Sequence, residues 1–248
     1  PQDAADWAAE TIFVPAAGNP EVDFWQSNNE VCQTSAALIA KLNTFSIHYI
    51  DALRARGLRA AVGCFSVGNP HMPDGDRMAF WREFYPAMRH GNQHGALLLL
   101  HAYGAPKIFD SDPDWYLYRY EKQVIPRLPN DLQVLPYLYG EYGADLGIVQ
   151  RPKLGWRTGY NGNAAAYADN LRTAASDLAR APSCLGAAVF TLGLANPEWR
   201  DFDVEGDCAN RLAAMEWPTN GTTPPSPPTP TPNVDEWAIR RGREIATI

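Results

Sequence analysis

Five apolar runs, at residues 22–27, 60–67, 96–102, 133–139 and 185–192, punctuate the first 218 residues, with helically patterned segments between them. That alternation constrains the fold more than any other feature of the chain. Runs such as AVGCFSV (61–67) and ALLLLHAY (96–103) are apolar throughout rather than every second residue. Both of their faces must therefore be covered, which is the situation of strands in a parallel sheet with helical crossovers. A doubly wound open sheet and a (β/α)₈ barrel both satisfy that requirement.

The helical segments carry their own punctuation. Leu38, Leu42, Phe45 and Tyr49 fall on one face, with Arg54 and Arg56 as a basic last turn and Gly57 as a C-cap. Met78, Trp81, Tyr85 and Met88 form a second stripe, and Tyr167, Leu171, Ala174 and Leu178 another. Asp112-Pro113 supplies an N-cap followed by proline at the first helical position. The stretch from Ala4 to about Val14 also reads as a helix.

Polar residues cluster where the apolar runs end: Asn28, Asn29 and Glu30, then Ser66 and Asn69, then His101 and Tyr103, then Glu141. Active sites of (β/α)₈ barrels are built at the C-terminal ends of several strands. No GxGxxG and no GxxxxGK[ST] occurs, so the phosphate-cradling sites of open sheets have no footing. The barrel is the expected fold class. Two carboxylates on different strands suit retaining glycoside hydrolysis, in which one must be neutral to protonate the departing oxygen and the other ionised to attack the anomeric carbon. An amide beside Glu30 can bond both the carboxyl and a sugar hydroxyl. Glu141, in LPYLYGEYGAD, has Tyr139 and Tyr142 as neighbours whose hydroxyls would favour the ionised form.

With these residues in place, the chain resembles glycoside hydrolase clan A, the family-5-like (β/α)₈ barrels, over about residues 3 to 215. Those proteins carry Asn-Glu after strand 4, His-x-Tyr after strand 6 and Glu after strand 7. Asn29-Glu30, His101-Ala102-Tyr103 and Glu141 fall in that order, the glutamates 111 positions apart. The resemblance implies Glu30 as acid/base, Glu141 as nucleophile, Asn29 on the sugar 2-hydroxyl, and His101 and Tyr103 shaping the site. It covers strands 4 to 8 only, so the expected architecture is a TIM barrel truncated at its N-terminus. Strand 8 ends as VFTLGLANPEW, without the family's tryptophan at its tip; Trp199 is the candidate substitute. Asn69 and Trp156 are further candidates for the substrate cleft. A barrel lacking three strands would leave apolar edges exposed, so the polypeptide is expected to be unstable or to associate.

The expected domain plan is a catalytic domain over 1–218, a Pro/Thr-rich linker over 219–233 (TNGTTPPSPPTPTPN) that cannot build a core, and the start of a further module over 234–248. Linkers of this composition separate secreted modules, which points to an extracellular or cell-surface protein of bacterial type. No initiator Met and no signal-peptide pattern opens the chain, so it is expected to begin internally. The net charge of −7, with no basic run longer than Arg240-Arg241, argues against nucleic acid or an anionic membrane as partner. No apolar run reaches the roughly 18 residues of a membrane span. The expected partner is an oligo- or polysaccharide, and no cofactor is expected.

Cys184 and Cys208 could pair, while Cys64, inside an apolar run, reads as a buried free thiol. His71, His90 and His94 show no ligand spacing with a carboxylate, so no metal site is expected. Two rival readings stand beside the hydrolase. One is a non-catalytic carbohydrate-binding or cell-surface TIM-barrel module; the other is a metal-dependent barrel hydrolase resting on the histidines alone.

Overall fold

The computed structural model describes residues 2–193 and 196–218, and the linker and further module expected at 219–248 lie outside them. In chain order the elements are α1 (Gln2–Thr11), α2 (Phe13–Gly18), β1 (Trp25–Gln26), α3 (Ala36–Arg54), β2 (Ala60–Phe65), α4 (Ala79–Arg82) and α5 (Tyr85–His94). There follow β3 (Leu97–Gly104), α6 (Pro113–Tyr116), β4 (Tyr137–Ala144), α7 (Trp156–Gly159), α8 (Ala164–Leu178), β5 (Cys184–Val189) and α9 (Asp207–Ala214). A π-helical turn, Tyr120–Val124, leads from α6 toward β4.

The (β/α)₈ barrel expected from the resemblance is not what the chain forms. Among the described residues there is one sheet of five strands in the order β1-β2-β3-β4-β5, with β1 parallel to β2 and β4 parallel to β5. The alternation of apolar runs with helical segments was correctly read as α/β with parallel pairing; β2 and β3 are buried along their length, whereas β1 and β5 are partly exposed. Each of the five apolar runs supplies one strand, but that pattern is local to each βα unit and does not fix whether the units close into a barrel. The element limits also moved. β1 is only two residues long, and β4 begins at Tyr137 rather than 133, so Glu141 lies inside β4 and not after it.

The described residues divide into two compact units, 2–64 with 70–98, and 65–69 with 99–218. In the first, Ser35 caps α3 by accepting from the Leu38 amide at 3.3 Å, and α3 buries Ile39, Leu42, Tyr49, Ile50 and Leu53. This buried stripe is rotated from the expected one, because Phe45 turns toward α1 instead. There Trp7 meets Phe45 and Tyr49 edge-on, at 6.0 and 5.6 Å. Tyr49 also donates to the Trp25 carbonyl at 3.0 Å, tying α3 to β1. α5 ends where Gly95 takes up a left-handed conformation at φ 71°, which a side chain would resist. The Met78–Met88 stripe is split between α4 and α5, yet Met78, Trp81 and Met88 are buried as their spacing requires.

In the second unit, β3 is buried along its length and α8 buries Tyr167, Leu171, Ala174 and Leu178. Asp112 caps α6 by accepting from the Asp114 amide at 3.1 Å. None of the four cysteines is in a disulfide, so the Cys184–Cys208 pairing is not made, and Cys64 is buried as expected.

The π-helical turn carries a carboxyl whose burial was not visible in the sequence. Glu121 accepts hydroxyl hydrogen bonds from Tyr137 at 2.7 Å and Tyr139 at 2.8 Å. Burial nevertheless outweighs those bonds and raises its pKa above the usual 4.5. The folded state then binds more protons than the unfolded chain between 4.5 and that raised value, so stability falls as pH rises through the interval. Glu121→Gln should lack this decline. Thermal melts of both proteins from about pH 4 to about pH 8 test it through the wild-type-minus-variant difference; parallel curves would contradict the assignment.

Candidate active site

The second unit assembles a carboxylate site on the C-terminal halves of β3 and β4. Tyr103 donates its hydroxyl to Glu141 Oε2 at 2.7 Å, and His101 Nδ1 lies 3.4 Å from the same oxygen. His101 and Tyr103 are two apart on β3 and so share a face, which lets both reach one partner on β4. The His101 side chain is 1% exposed and that of Glu141 24%, so the carboxylate is held from behind and open in front. Burial, the nearby Glu141 charge and the hydrogen bond to it all raise the Tyr103 pKa, keeping the hydroxyl protonated as a donor.

The donor to Glu141 is therefore not one of its chain neighbours. Tyr139 gives its hydroxyl to Glu121, and Tyr142 is buried against the Tyr139 ring at 5.6 Å. The pairing of β4 with β5 shifts register between Tyr137 and Tyr139 and again between Tyr139 and Tyr142. Such irregularities break the strict alternation of side chains along a strand and re-aim individual residues. Glu141 lies between the second pair.

Phe190 was missed by the sequence reading. It follows β5 directly, at the position where the family's tryptophan was sought, and stands edge-on to Tyr103 at 6.4 Å. Trp199 packs on Phe190 at 5.6 Å and on Phe202 at 5.5 Å, and is 36% exposed. The rings of Tyr103, Phe190 and Trp199 thus run from the carboxylate toward solvent. An aromatic residue directly after the Cys184–Val189 stretch was the available signal in the sequence.

Two other candidates have structural duties. Trp156 is 2% exposed, stacks on Tyr167 at 5.1 Å and donates to the Phe202 and Asp203 carbonyls, so it is no sugar platform. Asn69 donates to Ser66 Oγ at 3.0 Å, and its carbonyl accepts from Arg119 at the same distance, which makes it a loop brace. A cleft of about 540 Å³ in this unit, lined by Tyr118, Glu121, Asp177 and Arg180 among others, includes none of the residues selected from the sequence.

The first unit holds the other motif. Asn29 Oδ1 accepts from Gln26 Nε2 at 3.1 Å and from the Cys64 thiol at 3.0 Å, so its amide is oriented by the ends of β1 and β2. Glu30 is exposed, with its amide donating to the Cys64 carbonyl at 3.1 Å and a left-handed φ of 50°. It does not cap the following helix, since Ser35 does. A non-glycine residue at positive φ is uncommon and is retained where surrounding contacts enforce it.

Among the described residues no helix is long and apolar enough to cross a membrane. In comparisons with protein-family models, curated proteins and solved structures, nothing matches this chain.

Proposed function

We propose that this chain is a retaining O-glycoside hydrolase acting on β-linked sugars or polysaccharide, with Glu141 as nucleophile and Glu30 as acid/base. The observation that carries the reading is the Glu141 carboxylate, oriented by Tyr103 and His101 yet open to solvent on the remaining side. The hydroxyl donated by Tyr103 fixes the direction of that carboxylate, which an attacking group needs.

In the first step Glu141 attacks the anomeric carbon while Glu30 protonates the departing glycosidic oxygen, giving a glycosyl ester on Glu141. In the second, Glu30 takes a proton from water, whose oxygen attacks the same carbon and releases Glu141. Asn29, with its amide oxygen already engaged, has its NH₂ group to offer a sugar hydroxyl. Phe190 and Trp199 offer ring surface for a sugar face. The resemblance to clan A glycosidases supports the same roles, as does the linker composition for a secreted setting.

Covalent trapping tests this. A panel of 2-deoxy-2-fluoro β-glycosides with a good leaving group is expected to add one glycosyl unit, and peptide mass spectrometry to place it on Glu141. Labelling on another residue, or none from a panel spanning hexoses and pentoses, would overturn the assignment.

A further inference from the structure

Within the first unit, α5 carries His90 and His94 four residues apart, hence on one face, and α3 brings Asp51 against them from its last turn. His90 Nε2 lies 2.8 Å from Asp51 Oδ1, and the two imidazole rings meet at 4.4 Å between centroids. One ligand atom from each of the three residues falls within 4.8 Å of the others. None of the three is fully buried; the side chains of His90 and Asp51 are 22% and 43% exposed. We propose that Asp51, His90 and His94 form a binding site for one borderline divalent transition-metal ion such as Zn²⁺, which would clasp α3 to α5.

The donor set fits that ion. Two imidazoles and a carboxylate are three of the four ligands of a tetrahedral zinc site, whose donor atoms stand roughly 3.3 Å apart at bond lengths of about 2.0–2.2 Å. Side-chain rotation closes the remaining gap, and the exposed side leaves the fourth position for water or an outside ligand. Hard cations that prefer all-oxygen cages are disfavoured by the nitrogen pair. Arg54, on α3, is the positive charge near His94 that opposes a bound cation. One guanidinium in a half-solvated setting is screened, whereas the ligand bonds are not.

Sequence reading set these histidines aside because their carboxylate is 39 residues from His90, on another helix. Only helix packing supplies it. The site uses none of the residues given catalytic or sugar-binding roles above and does not depend on the proposed glycosidase chemistry.

The test uses the full chain without an oligohistidine tag, stripped of metal by a chelator and titrated calorimetrically with ZnCl₂. One equivalent is expected to bind with a micromolar dissociation constant, CoCl₂ to give a visible absorption band, and zinc to raise the melting temperature. His94→Ala should weaken zinc binding at least about tenfold and abolish the zinc-dependent rise. Because it spares the Asp51–His90 pair, the zinc-free melt should stay close to that of the wild type. Asp51→Asn should weaken binding likewise. No saturable binding by the wild type would reduce the cluster to a histidine–aspartate pair, and zinc bound as tightly by His94→Ala would place the metal elsewhere. Either result overturns the proposal.

Discussion

Glu141→Gln is expected to lower kcat by about 10³-fold or more on whichever β-glycoside labels the wild-type protein, because the amide cannot form the glycosyl ester. That is about 4 kcal/mol of barrier. Tyr103→Phe keeps the carboxylate and removes its 2.7 Å hydrogen bond. Bonds to charged groups contribute about 1.5–3 kcal/mol, so a loss of about 10- to 100-fold is expected. The two variants should therefore be graded, with glutamine far worse than phenylalanine. Glu30→Gln should differ in kind. It should slow substrates with poor leaving groups much more than dinitrophenyl glycosides, which need no protonation. Steady-state kinetics on matched leaving groups decides the matter. Equal activity of Glu141→Gln and wild type would remove Glu141 from the chemistry altogether.

The largest expected effect on stability is at Gly104, the last residue of β3. A Cβ there would stand 1.9 Å from the Ile108 carbonyl oxygen and 2.6 Å from its carbon. Both are backbone atoms, so no side-chain rotation relieves the clash. The segment after β3 is pinned in turn: the Ala105 amide donates to Ser111 Oγ at 3.0 Å, and the Ile108 amide to the Tyr160 hydroxyl at 2.9 Å. Gly104→Ala must break some of this, at a cost of about 3 kcal/mol or more, lowering the melting temperature by about 10 °C. Activity should fall too, since Tyr103 is the adjacent residue. Gly75, with no atom within 4 Å of its would-be Cβ, is the control, and Gly75→Ala should change stability by less than about 0.5 kcal/mol. Indistinguishable melts for the two variants would show that the loop after β3 yields easily.

Much of the architecture was legible residue by residue. The Tyr167–Leu178 stripe, the Asp112-Pro113 start and the burial of the Ala60–Phe65 run were all read from spacing and came out as read. Glu141, His101 and Tyr103 were singled out as polar groups near the ends of apolar runs, and the fold brings the three side chains together. The five apolar runs each became a strand, in chain order, but barrel closure was not legible. Each βα unit satisfies its own burial, and the (β/α)₈ class came only from the resemblance, which the five-stranded sheet does not bear out.

What the sequence determined by itself was the type of each element and the chemistry offered at its end, because periodicity, caps and turn residues act over a few positions. Which groups meet was decided by tertiary structure. Register shifts in β4 left Tyr103, not Tyr139 or Tyr142, to hold Glu141, and helix packing carried Asp51 to His90 and His94. Hydrogen bonds and ligand geometries resolve fractions of an ångström, and side-chain spacing along the chain carries no information at that scale about partners dozens of residues away.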